Sequence, residues 1–435
     1  MMDHNPTLAF KNKEEIKSFQ EFHLKKMIHY CYQHSPFYKK MFDEYQIHPI
    51  DILSLKDLEK IPATTKEDIQ NKNEDFICVG RDKIIEYTST SGTLGRPVTV
   101  ALTENDLTRL AYNEYCSFVC AEGSTDDIYQ LMLTLDRQFM AGMAYYSGIR
   151  KMGAGIIRVG PGSPALQWET INRLKPTVIV GVPSFMVKLI EYAKDNHIDL
   201  NASSVKKAVC IGENIRNTDF TYNAIGTKII SDWNIKLYST YASTEMQTAF
   251  TECVSNNGGH AQPDLIVVEI LNDENNQVAE GEFGEVTITT LGVEGMPLIR
   301  YKTGDICTYH EKSCGCGRNT IRLSPVVGRK SQMIKYKGTT LYPPAIINLL
   351  HELNDINDFI IEAFTNDLGT DEILLHINTH NTNTKEVNEK IKTVLQSKLR
   401  IIPEMNYVNT DTLYAMTINE SNRKIKKFID RRTTI

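Results

Sequence analysis

Short β-rich runs alternate with helical or Gly/Pro-containing segments from about residue 84 to residue 330. Strands that alternate with helices predict an α/β sheet, because each helix covers a face of the sheet and connects two strands. Some of the later runs follow one another without room for a helix, so we expect part of the sheet to be antiparallel. The runs are DIYQLMLTL, TVIVGV, VKKAVCIG, DLIVVEI and GEVTITT.

The two ends of the chain have different patterns. Residues 14–45 carry apolar side chains at helical spacing, which predicts an N-terminal helical layer. Beyond about residue 331, two β-rich runs, DFIIEAF and ILLHIN, flank a turn and precede a helical pattern from about Lys385. This order predicts a separate small α+β unit. We therefore expect one domain over 1–330 and a second over 331–435.

Composition excludes several classes of protein. The 435 residues carry a net charge of −6, from 48 Lys and Arg against 54 Asp and Glu, which disfavours a nucleic-acid partner because phosphate binding needs a basic field. No stretch approaches the ~20 apolar residues of a membrane-spanning helix. The nine cysteines are an odd number and follow no secretory leader. We therefore predict a cytoplasmic protein in a reducing compartment.

A turn rich in hydroxyl residues and glycine occupies residues 87–97, YTSTSGTLGRP, after a strand-like run. Hydroxyls and unobstructed backbone N–H groups suit the oxygens of a polyphosphate, because each bond to an anionic oxygen is charge-assisted. The segment lacks the Gly-Lys-Ser/Thr of a Walker loop. A Ser/Thr/Gly surface loop is the alternative interpretation of this segment taken alone.

Four segments in order give the chain a family resemblance. TSTSGTLGRP resembles the phosphate loop of adenylate-forming enzymes (acyl-CoA synthetases, peptide-synthetase adenylation domains and luciferases). YSTYASTEM, RYKTGD and VGRKSQMIKYKG match later motifs of that superfamily, while SPFYKKMF and SLKDLEKIPATTKEDI are similar to its phenylacetate-CoA ligase branch. The resemblance covers nearly the whole chain. It implies a large N-terminal α/β domain with mixed sheets and a small mobile C-terminal α+β domain.

The resemblance also implies roles for residues around the nucleotide. In the motif at 241–245, Tyr241 would stack on adenine, Thr244 would bond a phosphate and Glu245 would orient Mg²⁺. Ala242 stands where glycine is usual, which questions the local backbone because alanine tolerates positive φ poorly. The positions that match the loop over the β- and γ-phosphates of ATP are Thr88, Ser89, Ser91, Gly92, Thr93 and Gly95.

Three further segments match nucleotide-binding positions. Gly212 and Glu213 look like the family's element beside adenine, with an ordinary strand-to-helix turn as the alternative. Asp305 matches the aspartate that grips both ribose hydroxyls, and a carboxylate can accept two O–H bonds at once. Arg329 matches the arginine near ribose and phosphate. Ser331 stands where relatives carry a hinge aspartate, and we keep the hinge there.

The small domain of the family supplies a catalytic lysine. SNRKIKKFID resembles its segment, with Lys424 in the position of the lysine and Arg423 where glycine is usual. Spacing leaves Lys426 and Lys427 open as alternatives, and a basic run near a terminus is also typical of a solvated tail. Gly338 matches the glycine that lines the pantetheine tunnel.

Cysteine and histidine spacing suggests a metal site. Cys253 and His260 lie in CVSNNGGH, and Cys314 and Cys316 follow in CGC. Three thiolates and one imidazole would form a closed tetrahedral zinc shell of the structural type. Relatives in the phenylacetate-CoA ligase branch resemble this chain in their Cys/His set. The alternative is four unconnected residues, and Cys307 and His310 could replace a ligand.

The implied activity is a two-step ligation. A carboxylate would attack Mg·ATP to give an acyl-adenylate and pyrophosphate, and the thiol of coenzyme A would then displace AMP. A carrier-protein phosphopantetheine or another nucleophile is the alternative acceptor, and a non-catalytic nucleotide-binding regulator is the second alternative. A homodimer is left open. An aryl or medium acyl pocket, or else plain core, is expected at Phe139, Met140, Met143, Tyr145 and Met246.

Overall fold

The computed structural model describes residues 4–90, 97–337, 339–366, 370–380, 384–417 and 426–432. Two compact units divide the chain. The first comprises Met1–Tyr222, Gly226–Thr303 and Cys307–Pro325. The second comprises Asn223–Ile225, Gly304–Ile306 and Val326–Ile435.

The helices follow the expected apolar spacing and carry polar caps. Asn12 begins the first helix with a capping box to Glu15, and this helix buries Leu24, Met27, Ile28 and Cys31, which confirms the N-terminal helical layer. The helices up to residue 232 are α1 (Lys13–His34), α2 (Pro36–Glu44), α3 (Lys66–Asn71), α4 (Glu104–Cys120), α5 (Met140–Met152), α6 (Pro164–Leu174), α7 (Pro183–Asp195) and α8 (Ala224–Asp232).

The strands up to residue 329 form a hairpin, a large mixed sheet and a smaller antiparallel group. They are β1 (Glu86–Ser89), β2 (Thr99–Leu102), β3 (Ile128–Leu131), β4 (Gly155–Arg158), β5 (Val178–Gly181), β6 (Lys207–Ile211), β7 (Lys236–Ser243), β8 (Thr248–Glu252), β9 (Gly259–His260), β10 (Ile266–Leu271), β11 (Gly284–Thr290), β12 (Tyr301–Cys307), β13 (Tyr309–His310), β14 (Arg322–Leu323) and β15 (Gly328–Arg329).

The large sheet is parallel on one side and antiparallel on the other. Its strand order is β13-β14-β9-β8-β7-β6-β5-β3-β4, and the strands from β7 to β4 pair in parallel. Every residue of β5 is buried, as expected for a parallel strand covered on both faces. The two late runs pair as antiparallel β10 and β11. Both findings confirm the predicted α/β class with mixed sheets.

The second unit is a small α+β body. Its elements are β16 (Ile334–Tyr336), β17 (Thr339–Leu341), α9 (Pro343–His351), β18 (Ile356–Thr365), β19 (Asp371–Thr379), α10 (Thr384–Leu399), β20 (Glu404–Tyr407), α11 (Thr410–Thr417) and β21 (Phe428–Asp430). The order β20-β19-β18-β21 forms one sheet. The apolar face of α10, with Val387, Ile391 and Leu395, shares a core with the strands. In the described part of the chain, no helix is long and apolar enough to cross a membrane.

Candidate functional site

The β1–β2 hairpin leads into the hydroxyl-rich turn. Thr88 pairs with Val100 and Ser89 with Thr99 across the hairpin. Thr88 is buried, and within the described residues its hydroxyl oxygen makes no hydrogen bond. A buried polar atom without a partner costs about 1–3 kcal/mol, so this hydroxyl suits an incoming acceptor such as a phosphate oxygen. The predicted phosphate-loop residues Ser91, Gly92, Thr93 and Gly95 lie outside the described residues.

A strained backbone segment lies against β1. Arg137 and Gln138 have φ angles of 56° and 57°, so two consecutive residues with side chains adopt the left-handed conformation. This conformation costs roughly 1–2 kcal/mol per residue. The backbone N–H of Ser89 donates to the carbonyl of Gln138 at 3.0 Å. The strained turn is therefore joined to the strand that carries the first phosphate-loop residues, a feature the sequence did not predict.

The ends of β6 and β7 bring two predicted motifs to one edge of the large sheet. Ile211 pairs in parallel with Thr240, so the residues that follow both strands leave the sheet on the same side. Ligands of open α/β sheets bind at this carboxyl edge. Both carboxylate oxygens of Glu213 accept hydrogen bonds from Ser184, at 2.9 Å from its backbone N–H and from its hydroxyl. Glu213 thus anchors the start of α7 through these two hydrogen bonds. Gly212 adopts a positive φ of 73° at the turn that follows β6.

Tyr241 presents an aromatic ring beside this edge. Its ring stacks on Phe250 with centroids 5.7 Å apart and an interplanar angle of 29°. The next residue, Ala242, pairs with Ala249 inside the β7–β8 ladder. Extended strand conformation does not require glycine, so the alanine in place of the usual glycine introduces no strain.

Glu245 is a buried carboxylate two residues beyond β7. Its Oε1 lies 3.3 Å from the ammonium nitrogen of Lys66, the first residue of α3. Thr244 immediately precedes it and is half-buried. Lys66 lies in the run IPATTKEDI, which contributed to the resemblance but received no role. Lys66 lies far from Glu245 in the sequence, and no motif spacing relates the two residues.

In the second unit, strand pairing brings Asp305 and Arg329 together. The two residues face each other in the β12–β15 register, and Arg329 Nε lies 3.2 Å from Asp305 Oδ1. The Asp305 side chain is 9 % exposed and that of Arg329 is 46 % exposed, so the guanidinium stays accessible to an anionic group. Ser331 follows in a single 3-10 turn, Lys330–Gln332.

The predicted lysine segment is described only in part. Lys424 lies outside the described residues, as does Gly338. Lys427 pairs with Asp358, and its ammonium lies 4.9 Å from the Phe359 ring centroid. These contacts give Lys427 a structural role in the sheet of the second unit. Lys424, Lys426 and Lys427 stay open as candidates for the catalytic lysine.

The four predicted metal ligands converge in the first unit. Their ligand atoms all lie within 4.8 Å of one another, with Cys253 Sγ 3.5 Å from Cys314 Sγ and Cys316 Sγ 3.5 Å from His260 Nε2. Zinc bonds of about 2.3 Å to sulfur and 2.0–2.1 Å to nitrogen give tetrahedral edges of roughly 3.5–3.8 Å. The donor set therefore fits zinc, and the two separations of 3.5 Å match edges of such a tetrahedron.

The protonation chemistry of the cluster also suits a metal. Burial lowers the pKa of His260 to about 3, which keeps the imidazole neutral, and its Nδ1 lies 2.8 Å from the Thr320 hydroxyl. Burial raises the pKa of Cys314, but hydrogen bonds from the Cys316 backbone, Ser255 and Cys253 outweigh burial and bring it to about 7. Metal ligation requires a neutral imidazole and thiolates. The Cys314 thiol therefore ionises readily, whereas burial raises the pKa of Cys253 to about 12, so that thiol would give up its proton only to a bound metal.

Residues around the cluster have separate roles. Cys307 belongs to the large apolar core and His310 packs on Phe220, so neither joins the four ligands. Cys120 is a neighbour that the sequence did not single out. Its thiol packs with Cys253 and Cys314 and lies 3.3 Å from the Thr251 carbonyl.

The proposed acyl-pocket side chains are distributed between two buried clusters. Met140 and Met246 pack in one cluster, while Tyr145 is buried in another with Phe139 against it. Met143 is 37 % exposed. Met140, Tyr145 and Met246 are buried, as the alternative of plain core expects, and the acyl pocket stays a prediction.

Comparison with known proteins places the chain among nucleotide-dependent ligases. Residues 39–295 match the model of a family described as AMP-binding enzyme. The chain is 28 % identical to the phenylacetate-coenzyme A ligase of Thermus thermophilus over 82 % of this chain and 79 % of the relative. It is 28 % identical to that of Escherichia coli over 76 % of this chain and 75 % of the relative.

A solved structure has the same fold over nearly the whole chain. It is that of 2-hydroxyisobutyryl-CoA ligase in the postadenylation state with 2-HIB-AMP, at 21 % identity and a TM-score of 0.85. The match covers 98 % of this chain and 91 % of that chain. The expected fold of a large N-terminal and a small C-terminal domain is confirmed.

Proposed function

The chain belongs to the AMP-binding enzyme family, and from this membership we propose that it joins a carboxylic acid to coenzyme A at the expense of ATP. In the first step a carboxylate oxygen attacks the α-phosphorus of ATP, which forms an acyl-adenylate and releases pyrophosphate. In the second step the thiol of coenzyme A attacks the acyl carbon, which forms a thioester and releases AMP. The observation that best supports the proposal is that the family match, over residues 39–295, includes both the phosphate loop and Glu245.

The proposed roles follow the chemistry of each side chain. Thr88 and Ser89, with the following loop, bind the β- and γ-phosphates, Tyr241 stacks on adenine, and Thr244 bonds a phosphate. Asp305 accepts hydrogen bonds from the ribose hydroxyls beside Arg329, and Gly212 and Glu213 shape the adenine edge. Gly338 would line the path of pantetheine.

A magnesium ion fits the carboxylate of Glu245. Hard cations such as Mg²⁺ prefer carboxylate oxygens as ligands. The carboxylate of Glu245 already pairs with a positive charge, because the ammonium of Lys66 lies 3.3 Å from its Oε1. Magnesium bound with ATP would neutralise part of the phosphate charge. Glu245 would orient the ion, and Lys66 would be released toward the phosphates.

The acid and the thiol acceptor are proposed from the relatives of this chain. The phenylacetate-coenzyme A ligases that resemble this chain support an aryl or medium acyl substrate and coenzyme A as the thiol. A carrier-protein phosphopantetheine is the second candidate acceptor, because it presents the same thiol. A nucleotide-binding regulator without catalysis would retain the pocket and lose pyrophosphate exchange.

A screen of half-reactions tests the proposed function. The full chain is supplied with ATP, Mg²⁺ and aryl, fatty or amino acids, and exchange of labelled pyrophosphate into ATP is measured. We expect exchange with at least one acid and a thioester once coenzyme A is added. Glu245→Gln is the matched control, since it removes one charge at nearly constant shape. If a thioester forms with a carrier protein but not with coenzyme A, the carrier protein is the acceptor. If no acid supports pyrophosphate exchange, the proposed ligase activity is contradicted.

Lys66 is expected to contribute to ATP binding. Replacement of Lys66 by methionine should lower kcat/KM for ATP about 10-fold, because one charge-assisted bond to phosphate is lost and 10-fold corresponds to about 1.4 kcal/mol. Steady-state kinetics of adenylation would measure this. Lys60→Met is the matched control, because Lys60 pairs with Asp57 on the surface. If Lys66→Met and Lys60→Met have the same kcat/KM for ATP, Lys66 does not contribute to ATP binding.

The Cys253, His260, Cys314 and Cys316 cluster is proposed as a structural zinc site. Four protein ligands leave no open position for substrate, so the metal would join the β8–β9 turn to the loop before β14 and take no part in the ligation. The nine thiols are free cysteines. They support a reducing, cytoplasmic location as part of the same proposal.

A further inference from the structure

Arg318 follows the cysteine pair of the proposed zinc site and turns back toward it. The backbone N–H of Cys314 donates to the Arg318 carbonyl at 3.1 Å, which closes the ligand loop into a turn. The Arg318 side chain reaches back over this turn, and its Nη1 donates to Cys316 Sγ at 3.5 Å. The guanidinium is half-buried, so water and salt screen its contact with the sulfur only in part.

A segment from the start of the chain covers the same guanidinium. Arg318 Cζ lies 4.8 Å from the centroid of the Phe10 ring, which is a cation–π distance. Asn319 holds this segment in place, because its backbone N–H donates to the Ala9 carbonyl at 2.8 Å and its Nδ2 to the Lys11 carbonyl at 3.0 Å. Phe10 is 47 % exposed, and the contact gives its ring a role as a cover that keeps water from the cation.

The proposed zinc centre has a charge that such a cation would balance. Zinc carries two positive charges and the three thiolates carry three negative charges, while the imidazole of His260 binds in its neutral form. The centre is therefore a monoanion. Its ligands are largely buried, and a charge removed from water is costly unless an opposite charge lies close to it.

We propose that Arg318 is a positioning residue of the metal centre, which balances the excess negative charge through Cys316 and is itself covered by Phe10. This inference rests on the proposed zinc site. It goes beyond that site because it gives the N-terminal segment and a residue that is no ligand a part in metal affinity. Partners of metal ligands typically contribute about 10- to 100-fold to the affinity for the ion.

Competition for Zn²⁺ between the full chain and a chromophoric chelator tests the role of Arg318 without requiring activity. Arg318→Gln keeps hydrogen-bond donors but loses the charge, and we expect it to weaken zinc binding about 30-fold. Arg318→Lys keeps the charge without the planar fork and should bind zinc within about 5-fold of wild type. Lys312→Ala is the matched control, because it removes an exposed charge from the same loop and should bind zinc like wild type.

Cobalt in place of zinc shows whether the ligands themselves have changed. At saturating Co²⁺, the sulfur-to-cobalt charge-transfer absorption should be equal in wild type and Arg318→Gln, because all three thiolates remain. Cys316→Ser is the reference and should lose about a third of this absorption, since one of three thiolates is removed. Phe10→Leu should weaken zinc binding about 3-fold, which is the size of an exposed cation–π contact.

The variants separate a role of charge from a role in packing. Equal zinc affinity in wild type and Arg318→Gln would overturn the inference. Equal losses in Arg318→Gln and Arg318→Lys would also overturn it, because only a role of charge distinguishes the two. If Arg318→Gln does not fold, Phe10→Leu decides, and zinc affinity equal to that of wild type overturns the inference. Wild type that binds neither Zn²⁺ nor Co²⁺ would contradict the zinc site itself, and the inference with it.

Discussion

Replacement of Lys424 by alanine is expected to lower the rate of adenylation by roughly 10²–10³, with thermal unfolding unchanged. Negative charge builds on the α-phosphate as the carboxylate attacks, and a single preorganised donor at such a site contributes about 3–4 kcal/mol. A lysine ammonium supplies both a positive charge and hydrogen-bond donors. Pyrophosphate exchange measures this step alone, without the thiol.

The neighbouring lysines provide the controls for this prediction. Lys426→Ala tests one of the two alternatives and should leave exchange within about 2-fold of wild type if Lys424 is the catalytic group. Lys427→Ala tests the other and removes the contacts with Asp358 and Phe359, so we expect a change in stability rather than in exchange. Wild-type exchange in Lys424→Ala together with loss in one of the other two variants would transfer the role to that lysine. Wild-type exchange in all three variants would contradict a catalytic lysine in this segment.

Removal of one cluster ligand is expected to release the proposed zinc and destabilise the first unit. Cys314→Ser should reduce bound zinc from about one ion per chain to near zero and lower the free energy of unfolding by roughly 4 kcal/mol. A ligand held at about 1,000 times its dissociation constant stabilises the native state by this amount. Metal analysis and denaturant unfolding measure the two effects.

Cys120 offers a matched control for the zinc prediction. Its thiol packs against the cluster and lies 3.3 Å from the Thr251 carbonyl, and a serine hydroxyl would preserve that donor. Cys120→Ser should therefore keep the metal and most of the stability. Wild-type protein that binds no zinc when the ion is supplied, and that unfolds with the same free energy as Cys314→Ser, would contradict the zinc site.

Local chemistry explains what the sequence could predict. Helical spacing of apolar residues indicated α1, and apolar runs between turns indicated β5 and β6, whereas the capping box of Asn12 and Glu15 was found only in the structure. Motif order singled out Tyr241 and Glu245 from the sequence alone, and the structure places Tyr241 within β7 and Glu245 two residues beyond it. The Cys and His spacing suggested a cluster whose atoms indeed converge.

The remaining features depend on contacts between distant segments. Lys66 meets Glu245 only because α3 packs near the end of β7, and no pattern in either segment encodes that approach. The engagement of Glu213 with Ser184 depends on how the β5–α7 turn lies beside β6. The left-handed pair at Arg137 and Gln138 is held by tertiary structure against local preference, so propensity could not reveal it.

The strand pairing around the cysteine cluster has a consequence for metal affinity. Strand pairing with Thr251 on one side and Arg322 on the other fixes the backbone of His260, and its Nδ1 lies 2.8 Å from the Thr320 hydroxyl, so this ligand is ordered by the sheet independently of any ion. In small zinc fingers much of the binding free energy is consumed in ordering an unfolded peptide. Here the sheet has already ordered one of the four ligands. The ion would therefore bind to a partly preorganised site and report on the integrity of the sheet rather than trigger its folding.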